Sequence, residues 1–266
     1  MKRHPIIHGI VITSEHLSAR TAWRVSFVAV FGLALSLFEM TSGALAAPIT
    51  IPDGLNPGDE YRLAFITSQT RNATSSDIAD YNAFVTNVAN MQSALNNLGT
   101  TWKAIASTSS IHAKDNTGTN FFVDYPNNIG VPIYLLDGIT KIADDNVDLW
   151  NDGTLDSPLD VNEAGVEVLA TDVWTGSNQF GNALFPLGVV VPSPRVGRSD
   201  TAGMQWMSLG QSSAHGSHPF YALSGVLTMI PEPSSLLLVV LGGLVLAGKR
   251  SRAFHSGLRS SKREVR

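Results

Sequence analysis

Two uncharged apolar runs, each bordered by positive charge, lie towards the two ends of this 266-residue chain and confine the folded part to the stretch between them. The first, residues 25–38 (VSFVAVFGLALSLF), follows a net-positive start carrying Lys2, Arg3, Arg20 and Arg24 against Glu15. The second, residues 234–248 (SSLLLVVLGGLVLAG), runs directly into Lys249, Arg250 and Arg252. Both are shorter than the ~20 apolar residues that cross a bilayer comfortably. The first has signal-peptide length, and Ala44-Leu45-Ala46 places small residues at the spacing a signal peptidase reads. Cleavage between Ala46 and Ala47 is therefore expected, the alternative being an uncleaved N-terminal anchor; either way the body is exported. The second run can insert with local thinning or snorkelling flanks, and its basic border then stays on the cytoplasmic face. Pro231 and Pro233 cannot lie inside a helix, so they separate this segment from what precedes it.

Pro231-Glu232-Pro233, the apolar run and the Lys249-Arg250-Ser251-Arg252 cluster, in that order, resemble the PEP-CTERM sorting tail of exported bacterial proteins. The resemblance covers roughly the last tenth of the chain. It implies recognition by an exosortase, a membrane-embedded cysteine transpeptidase, with processing near residues 231–233. The plainer alternative is an ordinary C-terminal membrane anchor that no protease touches. The expected organisation is a signal peptide over 1–46, an exported domain over 47–230, a sorting and transmembrane segment over 231–252, and a basic cytoplasmic tail over 253–266.

Charge follows the same division. Residues 47–230 hold 18 Asp/Glu against 7 Lys/Arg, a net of −11, while the last 18 residues carry +6. A body that acidic repels phosphate backbones, which argues against a nucleic-acid partner. The basic ends belong with membrane targeting. No cysteine is present, so disulfides, thiolate metal sites and cysteine nucleophiles are excluded in this chain. The fold must rest on its own core, and 184 residues suffice for that.

Within the body, residues 61–67 (YRLAFIT) alternate as a buried strand does. Ser75 or Ser76 is positioned to cap a helix with Asp77 in its first turn. Ile78, Tyr81, Val85, Val88, Met91 or Gln92, Leu95 and Leu98 then recur at helical spacing until Gly99 stops it. Short apolar pieces follow: 102–106, 120–123, 131–136, 166–170, 172–174, 205–209 and 221–229 are the expected strands or extended core segments. Asp137-Gly138 predicts a hairpin into residues 140–143. Residues 144–163 and 179–205 read as ordered loops wrapped round the core, because Leu149, Trp150, Phe180 and Phe185 would not stay exposed. One long helix with a loop-rich mixed sheet defines an α+β class.

Six short blocks carry a second resemblance: Trp102-Lys103-Ala104-Ile105; Val131-Pro132-Ile133-Tyr134-Leu135; Asp148-Leu149-Trp150; Val173-Trp174-Thr175-Gly176-Ser177 with Gly181; Gln205-Trp206; and Phe220-Tyr221-Ala222-Leu223. Their order resembles endostatin-like domains, a branch of the C-type-lectin-like fold. The resemblance implies a mixed sheet with a long loop region on one side, and by itself no function.

Candidate chemistry is sparse. Asp144, Asp145, Asn146, Asp148, Asn151, Asp152, Asp156 and Asp160 offer hard oxygen ligands, and Asp144, Asp145, Asp148 and Asp152 are the candidate Ca²⁺ ligands among them. The segment misses the EF-hand pattern at Trp150 and Leu159. Trp150-Asn151-Asp152 matches the Trp-Asn-Asp of calcium-dependent lectins, without their preceding partner motif. The alternative is a solvated loop whose Asp and Asn side chains cap turns. His215 and His218 are three apart, but Gly216 and Pro219 place them on a loop; zinc there would need a further ligand such as Asp200 or His112, and surface histidines are the default. No G-x-S-x-G and no phosphate-binding glycine loop appears. Trp102, Trp150, Trp174 and Trp206 either line a sugar-stacking face or belong to the core, and the core is the commoner fate.

The reading that joins these features is a non-enzymatic, exported surface or extracellular-matrix protein with a structural or adhesive role. Its expected partners are signal peptidase, an exosortase, the membrane through the C-terminal segment, and an extracellular polysaccharide or protein. No cofactor is expected beyond Ca²⁺ at the acidic segment. Two alternatives are a secreted hydrolase carrying the same tail and a calcium-dependent lectin.

Overall fold

β1 (Glu60–Ile66) is the strand on which the rest of the domain assembles. A computed structural model describes residues 48–230; the expected signal peptide with Ala44, Ala46 and Ala47, the Pro231-Glu232-Pro233 tail and the Lys249, Arg250 and Arg252 cluster lie outside the described residues. Tyr61, Leu63 and Phe65 alternate into the core, and Ala64 and Ile66 are buried as well. Loss of the alternation is what a central strand covered on both faces requires. β1 runs parallel to β3 (Ile133–Leu135) and antiparallel to β8 (Tyr221–Ser224). β2 (Trp102–Ala104) extends the sheet beyond β8, and β4 (Lys141–Ala143) extends it beyond β3. A second, three-stranded antiparallel sheet holds β5 (Asp172–Trp174), β6 (Arg195–Arg198) and β7 (Gly210–Gln211). The architecture is therefore α+β, as its sequence pattern predicts.

The long helix forms where its spacing places it, as α1 (Ile78–Asn90), and buries Tyr81, Val85 and Val88. Tyr81 stacks on Phe220 at 5.1 Å between ring centroids, and Phe84 meets the same ring edge-on. Two details differ from the sequence reading. The N-cap is Asp77, whose carboxylate accepts from the Ala79 amide at 2.9 Å, rather than Ser75 or Ser76. Periodicity also continues past the true end: Gln92 is extended, and a separate turn α2 (Ser93–Asn96) swings Leu95 into the core while Met91 stays exposed. Gly99, at φ +59°, stops this segment as expected.

Four other expectations change. Residues 120–123 are turns rather than a strand. Residues 166–170 contribute a single bridge, Glu167 to Val161, with Leu169 left in solvent. The piece at 205–209 begins as a 3₁₀ turn, Met204–Trp206, that drops the indole into the core instead of pairing. The segment 221–229 is two strands, because Gly225 interrupts it before β9 (Leu227–Thr228), and both halves pair with β1. At the interruption the Ser224 hydroxyl accepts from the Leu63 amide at 2.9 Å, replacing a ladder bond that the departing backbone no longer supplies. The hairpin at Asp137-Gly138 forms as predicted, with Gly138 at φ +80°.

A short turn of helix, α3 (Ala113–Asn116), follows β2; the expected loop 144–163 contains another, α4 (Asn146–Trp150), and the loop 179–205 contains β6. Three of the four large apolar side chains in these two loops leave solvent as anticipated, Leu149 and Trp150 buried and Phe185 half-buried, whereas Phe180 is 38 % exposed. Trp102, Trp150, Trp174 and Trp206 are all buried, so they build the core and offer no sugar-stacking face. Trp150 stacks on Trp206 at 5.8 Å, and Phe65 meets Trp102 edge-on.

Candidate functional site

Three places gather chemistry. The acidic segment expected to bind Ca²⁺ is spent largely on its own backbone. Asp145 caps α4, its Oδ1 accepting from the Val147 and Asp148 amides at 2.7 and 2.8 Å. Asp148 accepts from the Asp144 amide, and Asp144 pairs with Lys141. Asp152 accepts from the Thr154 amide and hydroxyl. Among the described residues no three His, Asp or Glu side chains gather in a metal-holding group. Asp156 donates its amide to Ile142, and burial raises its carboxyl pKa, with the nearby charges of Asp148 and Asp144 adding to the rise and Lys141 opposing it, while Asp160 lines a cleft.

That cleft, about 430 Å³, lies between the β3–β4 hairpin and the 157–167 loop and presents Asp137, Asp160 and Glu167 beside Leu135, Pro158 and Val161. The two aspartates are driven apart. Burial pushes the Asp160 carboxyl up, and the neighbouring charges of Glu167, Asp137 and Asp200 add to it. Burial pushes Asp137 up too, but the Thr140 hydroxyl and the Thr140 and Ile139 amides outweigh it and hold that carboxyl below its usual range. Those bonds close the hairpin turn, so Asp137 is fully committed to structure.

His218 belongs to a different cluster from His215. His215 is exposed, whereas the His218 ring lies edge-on to Trp174 at 4.7 Å and its Nε2 meets the Ser212 hydroxyl at 2.8 Å. Burial lowers the His218 pKa, with Asp172 acting weakly in the opposite sense. His112 is engaged elsewhere, its Nδ1 accepting from the Ala183 amide, and Asp200 accepts from Arg198. The zinc set imagined from spacing is thus distributed over separate contacts. A Ser–His hydrogen bond was invisible in the sequence because its members come from a loop with no nucleophile motif.

The third place is a loop-built aromatic depression of about 240 Å³, between the 121–128 turns and the 178–182 loop. Trp150 floors it, with the indole nitrogen donating to the Thr119 hydroxyl at 2.9 Å. The 178–182 loop lies flat on that ring because residue 181 is glycine: a Cβ there would sit 2.9 Å from the indole, and φ is +71°. Phe121 and Phe122 pack at 4.1 Å between centroids, leaving Phe122 71 % exposed, and Phe180 faces the same space. Lys114 lies over the Phe122 ring, 5.3 Å from its centroid. The sequence offered only the tryptophans as candidate stacking aromatics, with the core as their commoner fate, and the core is where they lie; the usable signal for this depression was the Phe121-Phe122-Val123 run beside Asp124 and Tyr125-Pro126, a turn-rich composition that cannot bury three apolar side chains.

Fold and surfaces together define an α+β domain whose candidate sites are built on loops. No protein-family model matches the chain, and no curated protein matches its sequence.

Proposed function

We propose that this chain is an exported surface or extracellular-matrix binding protein, delivered by its N-terminal signal segment and sorted by an exosortase through the Pro231-Glu232-Pro233 tail. Its body acts as a structural or adhesive module with a C-type-lectin-like arrangement. The observation that carries the reading is the shallow aromatic depression, where Phe122 and Phe180 are held at the surface by turns instead of being drawn into a core that already has four tryptophans. Large exposed aromatics on a preorganised loop are the composition of a contact surface. Cysteine-free closure of residues 48–230 round one hydrophobic cluster suits a domain that must hold outside the cell without covalent help. The test is location and retention: deleting residues 231–252 should move the protein from the surface fraction, and Phe122→Ala should reduce its retention on extracellular polymer from the producing cells. Unchanged location and unchanged retention would refute the proposal.

A second reading, a secreted hydrolase, draws on the Ser212–His218 hydrogen bond, which supplies a nucleophile beside a base whose pKa is lowered. Labelling of the full chain at Ser212 by a serine-reactive fluorophosphonate, lost in His218→Ala, would favour it over the first.

A further inference from the structure

Lys114 is an unusual cation in this body. Lys141 and Arg198 face carboxylates, Arg62 and Arg71 donate to backbone carbonyls, and Arg195 donates to the Ser208 hydroxyl. Lys114 and Lys103 make no such contact among the described residues, and of the two Lys114 lines a depression. Its ammonium lies over the Phe122 ring and, among the described residues, makes no hydrogen bond or ion pair. Across the same space stand Asn151 and Asn182, whose side-chain amides make no hydrogen bond among the described residues. The backbone beneath both rings is held: the Phe122 amide donates to the Asn120 side chain, which in turn donates to Asp115, and the Phe180 amide donates to the Asn178 side chain. A cation, two aromatic faces and two free amides therefore converge on a space of about 240 Å³, below the roughly 300–1,000 Å³ of drug-sized pockets and suited to one ring unit.

We infer that this depression binds an acidic saccharide, with the apolar face of a hexuronate ring against Phe122 and Phe180, its carboxylate on Lys114, and its hydroxyls bonded to Asn151 and Asn182. Charge complementarity selects the acid: a neutral sugar would satisfy the rings and amides and leave the ammonium unpaired. The apolar C–H face of the ring selects a sugar over an acidic peptide, because aromatic and amide groups then act on the same unit. The body's net −11 opposes long polyanions at low salt, but at physiological ionic strength charges beyond ~8 Å are largely screened and the contact at Lys114 decides. This inference rests on the body being a contact module and names what it contacts.

The test is calorimetric titration of the full chain in detergent micelles with trigalacturonate, its methyl ester, maltotriose, a short glutamate peptide, and the polymer of the producing cells. Trigalacturonate should bind, and the ester should bind roughly ten-fold more weakly, the size of one charge-assisted contact. Lys114→Gln should make acid and ester equal, while Phe122→Ala should weaken both by about five- to ten-fold. Phe122 is exposed and Lys114 half-buried, so matching thermal midpoints will show that the variants fold. Binding of the cell polymer without trigalacturonate would overturn the acidic-sugar assignment and leave the contact reading standing. Binding of neither would overturn both. Equal binding of the glutamate peptide, or affinities unmoved by either substitution, would overturn the site.

Discussion

Replacing Gly197 by alanine should be among the most damaging single-methyl changes in the domain. Gly197 lies in the middle of β6, paired with Val173 on β5, and the 3₁₀ turn at 204–206 crosses directly above it. A Cβ at this position would stand 1.8 Å from the Trp206 carbonyl oxygen and 2.6 Å from its carbon, where real contacts essentially never fall below 3.0 Å. The obstruction is backbone, so no rotamer change relieves it, and the turn must lift by roughly 1 Å, about a methyl group's worth of overpacking. That movement strains the Leu209 amide bond to Val196 at 2.9 Å and the Thr175 hydroxyl bond to Met207 at 2.7 Å, and it loosens the fully buried Trp206. Overpacking costs about 1–3 kcal/mol and occasionally more; with rigid backbone opposing it, ~3–4 kcal/mol is the expected loss. At about 2–4 °C per kcal/mol for a domain of this size, the thermal midpoint should fall by roughly 6–16 °C. Gly210→Ala, one strand away with nothing within 4 Å of its Cβ, is the control and should move the midpoint by no more than ~3 °C. Differential scanning calorimetry of the full chain reads both. A Gly197→Ala midpoint within ~2 °C of the parent would refute the packing argument.

The indole nitrogens supply a second comparison. That of Trp150 donates to Thr119, whereas that of Trp102 is buried without a partner, so Trp102→Phe should be about 1–2 kcal/mol less destabilising than Trp150→Phe in urea denaturation. Asp145→Ala should cost about 1 kcal/mol through loss of the α4 cap, and thermal melts should show the same cost with and without added Ca²⁺ if capping is its whole role. For His218, burial holds the folded pKa below the ordinary 6.5, so the folded state binds its proton less readily than the unfolded chain. The resulting stability is complete above pH 6.5 and is lost as pH falls from there through the folded pKa. His218→Asn should flatten that part of the stability profile, and an unchanged acid slope would remove His218 as its source.

Elements whose signal is local were legible in the sequence. β1, α1 and the Asp137-Gly138 hairpin each carry their own periodicity or turn chemistry; β1 and the hairpin form where their residues place them, and α1 starts there but ends at Asn90, before its periodicity does. β6 was hidden because Arg195-Val196-Gly197-Arg198 has one apolar side chain and becomes a strand only through partners on both sides. Residues 205–209 misled for the opposite reason: Trp206 and Met207 look like strand core, but the preceding Thr201–Gly203 turn feeds them in as a 3₁₀ turn. Among site candidates, the dense Asp/Asn segment was visible, while its division into separate caps depended on where α4 begins. The aromatic depression escaped because it joins residues 114, 122, 151 and 180, whose proximity is a property of the loops and not of any spacing.

The central claim is that two apolar, positively bordered ends carry an acidic, self-supporting domain out of the cell. Intact mass of the protein recovered from the surface of producing cells tests it most directly. A species beginning at Ala47 and ending near residues 231–233 is the predicted result. A chain still running from Met1 to Arg266, found in the cytosol, would contradict it.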